Sequence, residues 1–392
     1  MDPVRNPFAP GAGTRPPELA GRDELVERAA VALDRIALGR PARSFILYGL
    51  RGTGKTVLLG EIRRDAEARG LQTVRIEAPE GRSLPAMLAA PLRALLLKLD
   101  RMESAKAGAR KALRALASFA KLKVAYQDIE VTIDAEPEKG VADSGDLEVD
   151  LTELLLAVGE AAKERATAAI LTIDEIQYVK DSEMAALISA LHAVAQAQLP
   201  VGMVAAGLPQ LLGQMGRAKS YAERLFEYVE VAALAPGAAR NAIVIPIERE
   251  EEAIEPAAVD AIVAATQGYP YFLQEWGKHA WDLAFASPIS MLDVENAGVT
   301  ALAELDASFF RVRFDRLTPS EKRYMRAMAE LGPGPHRSGD IAEMLGKQVT
   351  QLAPIRNSLI RKGMLYSPAH GDTAFTVPMF DQFMKRIMPD RG

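Results

Sequence analysis

The chain has 392 residues, room for two or three domains, and its 49 % apolar and 25 % charged content is that of a globular protein with a substantial core. It contains no cysteine, which excludes disulfides, thiol catalysis and thiolate-bound metals and suits a reducing compartment. The net charge of −5 excludes a polycation, yet from Thr318 onward 11 Lys+Arg face 7 Asp+Glu, a local +4 that leaves −9 elsewhere and permits nucleic-acid contact at the C-terminal end.

Residues 1–17 are rich in Pro and Gly and lack the apolar stretch of a signal peptide, so they are expected to form a flexible arm. No run reaches the roughly 20 apolar residues that span a bilayer. The protein is expected in the cytoplasm, with no membrane partner. A helix is predicted from Gly21 to about Leu38, with Leu25, Ala29, Ala32, Leu33 and Ile36 near helical spacing. Ser44-Phe-Ile-Leu-Tyr48 reads as a buried strand, Lys55 to Arg69 as a helix ended by Gly70, and Leu71 to Glu77 as a second strand. Residues 80–150 break the alternation and read as an insertion with a flexible end. Within it, Leu84 to Leu99 and Ala105 to Leu122 are helical, Lys123 to Ala135 alternates in a β-like way, and Glu136 to Asp150 is acidic. Leu151 to Arg165 and Ser182 to Gln198 are helices. Ala168 to Ile173, Val201 to Ala206 and Tyr228 to Leu234 are strands. Strands alternating with helices imply an α/β fold with a parallel sheet covered on both faces. From Pro236 the pattern turns helical, with helices at Pro256–Thr266, Tyr271–Ala286 and Met291–Phe314.

Gly49-Leu-Arg-Gly-Thr-Gly-Lys55-Thr56 fits G-x-x-x-x-G-K-[ST] at every defined position, after a strand and before a helix. Glycines Gly49, Gly52 and Gly54 allow the backbone N–H groups, including that of Thr53, to wrap a phosphate, and the helix N-terminus adds a positive dipole end. Lys55 is expected on the β and γ phosphates of ATP, and the Thr56 hydroxyl on Mg²⁺. Asp174 and Glu175 end a strand side by side. Asp174 suits the acid that orients the metal and Glu175 the base that orients the attacking water.

With these motifs, and with Leu19-Ala-Gly-Arg22-Asp23 and Asp174-Glu175-Ile-Gln177, residues 18–290 resemble the AAA+ and STAND branches of phosphate-loop ATPases. The resemblance implies that the strand ending at Ala206 lies between the phosphate-loop strand and the Asp174 strand, and that Gly21 and Arg22 lie near the adenine. Ser220-Tyr-Ala-Glu-Arg224 looks like the segment that carries an arginine finger, which would make Arg224 catalytic. Gly268-Tyr-Pro270 looks like the Gly-x-Pro lid motif, with Pro270 near the base and no sensor arginine after it. In place of a sensor Asn, Thr or Ser after Ala206, the first such polar residue is Gln210. Both departures favour a slow nucleotide switch over a fast motor.

Thr318-Pro-Ser-Glu321 opens a helix that runs to Leu331. Helices at Ser338–Leu345 and Val349–Lys362 follow, then strands Met364–Ser367 and Ala374–Val377. This order resembles a winged helix-turn-helix over residues 318–388. In DNA-binding members the third helix enters the major groove, which makes Gln348, Gln351, Arg356, Asn357, Arg361 and Lys362 candidates for contact with double-stranded DNA, with His370 at the hairpin tip. The expected organisation is an arm (1–17), a P-loop ATPase core (18–235), a helical lid (236–317) and a winged helix (318–392). Two functions fit: an ATP-controlled DNA-binding switch, or a STAND-type ATPase that self-oligomerises or binds a protein partner, with the winged helix packed on the core.

Overall fold

The computed structural model describes residues 1–11, 13–101, 107–123 and 140–389. Strands β1 (Ser44–Tyr48), β2 (Gln72–Glu77), β3 (Ala169–Asp174), β4 (Val201–Gly207) and β5 (Phe226–Glu230) form one parallel sheet in the order β2-β3-β4-β1-β5. β4 therefore separates β1 from β3, as the resemblance implies. All seven residues of β4 are buried, because a parallel sheet is covered on both faces and its strands read as apolar runs. β5 starts earlier and stops earlier than its apolar pattern predicts. Phe226 already pairs with Ser44, and Val231, just past the strand, donates its N–H to Tyr48 (2.7 Å).

Helices α1 (Asp23–Ala37) and α2 (Lys55–Ala68) cover one face of the sheet. The other face is covered by α3 (Leu84–Arg101), α4 (Ala107–Lys123), α5 (Leu147–Glu164) and α6 (Asp181–Gln196). The stretch read as an insertion is thus built into the core. Leu88, Leu92, Leu96 and Leu99 of α3 are fully buried at helical spacing, each contributing roughly 1.5–3 kcal/mol. The acidic run ends in structure too, since buried Asp150 accepts from the N–H (2.8 Å) and hydroxyl (2.7 Å) of Ser144. The β-like stretch beyond Lys123 lies outside the described residues. Two short helices, α7 (Leu211–Ala218) and α8 (Ala222–Leu225), lead into β5.

The lid consists of α9 (Pro236–Arg249), α10 (Pro256–Thr266), α11 (Pro270–Leu283) and α12 (Met291–Leu305). The long helix expected up to Phe314 is interrupted. Asp306–Phe310 winds as a π-helix before α13 (Arg311–Asp315). Such turns shift the side chains that follow onto a new face. Beyond it come α14 (Pro319–Glu330), β6 (His336–Arg337), α15 (Ser338–Met344), α16 (Val349–Arg361), β7 (Leu365–Tyr366), β8 (Asp372–Phe375) and α17 (Phe380–Ile387). The expected three helices and hairpin are present. β6 adds a third strand to give the antiparallel order β6-β8-β7, and α17 packs back on α14. Phe310 stacks on Phe383 (5.2 Å), and Phe314 meets Phe383 edge-on (5.8 Å). Lid and C-terminal module therefore share one apolar core, and the cap at Thr318 marks a helix boundary within it.

The arm expected to be flexible is packed on the lid. Asn6 Nδ2 donates to Lys278 O (3.0 Å) and Asp282 Oδ1 (2.7 Å), and Trp281 Nε1 donates to Asp2 O (2.8 Å). Phe8 is buried against Gly277, where a Cβ would come within 2.7 Å of its ring. Pro and Gly suppress regular helix and strand, but composition says nothing of side chains that anchor an irregular segment. No described helix is long and apolar enough to cross a membrane.

Candidate nucleotide-binding site

The phosphate loop joins β1 to α2. Gly52 (φ +80°) and Gly54 (φ +87°) occupy the left-handed region that glycine adopts without a steric penalty. Gly49 passes so close to Val231 that a Cβ would lie 2.3 Å from its carbonyl oxygen. Thr53 Oγ1 (3.0 Å) and Lys55 Nζ (2.6 Å) both donate to Leu50 O, which draws the loop around the lysine. Burial lowers the Lys55 pKa to about 8; Glu175 pulls it up, Arg51 pushes it down and Asp174 pulls it up.

At the carboxyl end of β3, Asp174 accepts from the Thr56 hydroxyl and from the N–H of Glu175 (2.9 Å), while burial pushes its pKa up. Glu175 adopts φ +51°, a conformation that costs a non-glycine residue of order 1–3 kcal/mol and clusters at functional sites. Its carboxylate faces Arg51 (3.6 Å) and accepts from the amide of Gln177. Gln177 Oε1 in turn accepts from Leu208 N (3.1 Å) just past β4. Gln177 thereby brings an amide from beyond β3 to the end of β4. Gln210 itself stands outside the cleft, ahead of α7.

These groups open into a cleft of about 560 Å³ whose lining carries seven Lys+Arg against four Asp+Glu. A surplus of cations suits a polyanion. Arg22 lines the cleft and donates to Ala232 O; burial lowers its pKa. Gly21 (φ +67°) turns against Ala238 of the lid. Pro270, the first residue of α11, also lines the cleft, and the next residue, Tyr271, donates its N–H to Gly52 O (3.1 Å). The Tyr271 ring stacks on Phe309 (4.9 Å), and the Arg313 guanidinium lies 4.0 Å over the Phe309 ring while donating to Phe309 O. Burial and the nearby Arg51 lower the Arg313 pKa to about 10, which leaves it charged at neutral pH. Arg313, Phe309 and Tyr271 did not emerge from motif reading. Their one signal is Phe309-Phe-Arg-Val-Arg313-Phe, a run of aromatics and arginines ending the lid. Arg224 is exposed on α8 and does not line the cleft of its own chain.

The C-terminal module reaches the same loop. Thr376 O accepts from Arg51 N (2.9 Å), and a Cβ on Gly363, just past α16, would lie 2.9 Å from the Arg51 guanidinium. Of the residues read as DNA contacts, Arg356 is held by Thr373 Oγ1 (2.7 Å), Ser367 Oγ (2.8 Å) and Asp372 O (2.7 Å). Lys362 donates to Glu321 (2.7 Å) and Arg316 O (3.0 Å). Burial raises the Glu321 pKa, but hydrogen bonds from Lys362, Thr318 and Ser358 outweigh it and hold the carboxyl at about 2. Gln348 and Gln351 cap α16, and Asn357, Arg361 and His370 are exposed.

The sequence matches the AAA ATPase domain over residues 18–204 and a domain of unknown function, DUF8462, over residues 307–384. No curated protein matches the chain. Among solved structures, the Walker-type ATPase PABY2304 of Pyrococcus abyssi superposes with a TM-score of 0.61 at 15 % identity, over 95 % of this chain and 97 % of that one. The Aeropyrum pernix ORC1 protein, solved in complex with DNA, gives 0.49 at 15 % identity over 97 % and 96 %. The Thermotoga maritima RuvB Holliday junction branch migration motor gives 0.45 at 16 % identity over 93 % and 96 %. PABY2304 shares the fold over nearly the whole of both chains. With the phosphate loop, the acid pair and the strand order all in place, residues 18–204 form a P-loop ATPase domain of the AAA type.

Proposed function

We propose that this ATPase is a slow nucleotide switch in which the C-terminal module, read as a winged helix, senses the phosphate loop directly. One observation carries the reading: the loop donates the N–H of Arg51 to Thr376, a residue of the module. ATP entering the loop competes for the orientation of that peptide, so nucleotide and module are coupled through one shared group.

The chemistry follows from the residues around the loop. The N–H groups of Gly52 to Thr56 and the Lys55 ammonium hold the β and γ phosphates. The Thr56 hydroxyl and the Asp174 carboxylate already touch, a pair of hard oxygen donors that fits Mg²⁺. When bound there, the ion neutralises phosphate charge. Glu175 takes the proton of the attacking water once it is released from Arg51 and Gln177. Arg313 lies in cis on the cleft wall, where a fixed planar cation suits the charge that develops on the γ-phosphate. Arg224, facing outward, is suited to a neighbouring copy only.

The switch is testable because the chain has no native cysteine. Arg316, which precedes the module, pairs with Glu80 of the core (3.4 Å). We expect cysteines at these two positions to be bridged by a short bismaleimide roughly fivefold or more slowly in ATP than in ADP, the low end of ordinary allosteric coupling. Equal rates in the two nucleotides would refute the switch.

A second reading, that the released module binds double-stranded DNA, is favoured by its +4 charge and by exposed Asn357, Arg361 and His370. It predicts retardation of DNA at low salt with ATP. Arg356 and Lys362 are bound within the module, so they serve that surface by holding its shape.

A further inference from the structure

The lid carries a group of ligating side chains that the nucleotide cleft does not use. Glu275 and His279 lie one turn apart on the same face of α11, and Glu304 meets them from the last turn of α12. His279 Nε2 donates to Glu304 Oε2 (2.8 Å) and stands 4.0 Å from Glu275 Oε2. One donor atom from each of the three lies within 4.8 Å of the other two. Donors that share an ion at about 2.0–2.2 Å are roughly 3–4 Å from one another, so small side-chain rotations turn this trio into a coordination shell. Glu275 and His279 are only 6 % and 5 % exposed, which holds two of the ligands in place. The Glu304 side chain is 56 % exposed and leaves the trio open to solvent. The local charge is also unbalanced. Burial pushes the Glu275 pKa up, the Tyr271 hydroxyl pulls it down and Glu304 pushes it up again. Lys278, on the same helix, is paired with Asp282 (3.4 Å). A buried carboxylate and a second one beside it, with one imidazole between them, are short of positive charge.

We infer that Glu275, His279 and Glu304 form a binding site for a divalent transition-metal ion of the Zn²⁺ type, separate from the nucleotide cleft, which none of the three lines. An imidazole nitrogen with two carboxylate oxygens suits zinc and its neighbours, whereas Mg²⁺ prefers oxygen alone. Three protein ligands leave a fourth position for water, and the exposure of Glu304 admits it. The ion takes the lone pair of His279 Nε2, so the proton that Nε2 shares with Glu304 leaves to solvent. The bound ion ties α11 to α12 two residues before the π-helix at Asp306–Phe310. It therefore braces, from outside the cleft, the segment that turns Phe309 and Arg313 into it.

The test is a calorimetric titration of Zn²⁺ into the untagged, chelator-stripped, full-length chain at neutral pH, without nucleotide. The chain has no cysteine and four histidines, which keeps the background low. Excess Mg²⁺ throughout occupies sites built from oxygen alone, Asp174 with Thr56 among them. One Zn²⁺ per chain is expected to bind and to raise the thermal midpoint. His279→Gln and Glu304→Ala are each expected to weaken binding about tenfold or more, since even a supporting partner of a ligand is worth that much, and to lose the rise in midpoint. Glu304→Ala truncates an exposed helical side chain and keeps the fold, so it decides the matter if His279→Gln does not fold. The inference is overturned if the parent gives no saturable heat, or if either folded variant binds Zn²⁺ as tightly as the parent, which would put the ion on other groups.

Discussion

The two ends of the cleft are built in different ways. The phosphate end comes from one run of eight residues, Gly49 to Thr56, with Asp174 and Glu175 across from it. Its chemistry lies mostly in backbone N–H groups and glycine conformations, so the spacing alone announces it. The lid end is assembled from separate segments: Arg22, Pro270 to Gln274, and Phe309 to Arg313. No two of these segments adjoin in sequence, and what they contribute is side chains. The phosphate end is therefore a local property of the chain, whereas the lid end is a tertiary one.

Substitutions at the two ends should separate these roles. The largest effects belong to the phosphate end. Lys55→Ala is expected to weaken ATP binding about hundredfold or more by leaving the phosphates without their cation. Glu175→Gln should keep ATP affinity and lose about 10²–10⁴ in turnover, the usual contribution of a positioned base. Hydrolysis by Glu175→Gln at the parent rate would remove that role. The lid end should give a smaller and more selective loss. Arg313→Ala is expected to lower kcat about 10- to 1000-fold, at or below the range of an arginine finger, with ADP affinity retained. Equal loss of ADP and ATP affinity in a binding titration would make Arg313 structural instead.

The smallest effect comes from pH. Lys55, with a pKa of about 8 against an ordinary 10.5, carries its charge below that value and loses it above. The free enzyme governs kcat/KM, so kcat/KM for ATP should be level up to about pH 8 and fall about tenfold per unit beyond. For stability the sign is reversed. The buried charge opposes folding below about pH 8, and this cost is relieved as pH rises from there towards 10.5. A kcat/KM profile level to pH 10 would assign the essential charge elsewhere.

How much of this was legible in the sequence follows from the same division. The strands, the loop and the acid pair could be read because strand runs and glycine spacing are local signals, whereas the place of β4 between β1 and β3 came only from the family resemblance. The boundaries of α10 and α14 were legible as well, since Pro at the first turn and the Thr318–Glu321 capping box mark them. The interruption at Asp306–Phe310 was not, because a π-helix has no composition of its own and arises where packing demands two faces in quick succession: Phe309 towards the cleft, Phe310 into the module. The packed arm was missed for a related reason. Phe8 and Asn6 are anchors only because Gly277 and Asp282 stand opposite them in space. Arg356 and Lys362 look like free cations on a helix, and only the folded hairpin and Glu321 show them engaged.

The bond between Arg51 N and Thr376 O closes a thermodynamic cycle. Whatever factor ATP exerts on the seating of the hairpin, a molecule that captures the hairpin must exert on the affinity for ATP, because binding free energies are reciprocal. A fluorescent ATP analogue would then serve as a gauge for unlabelled candidates, nucleic acid or protein alike. Its signal would change only for those that engage the face turned towards Arg51.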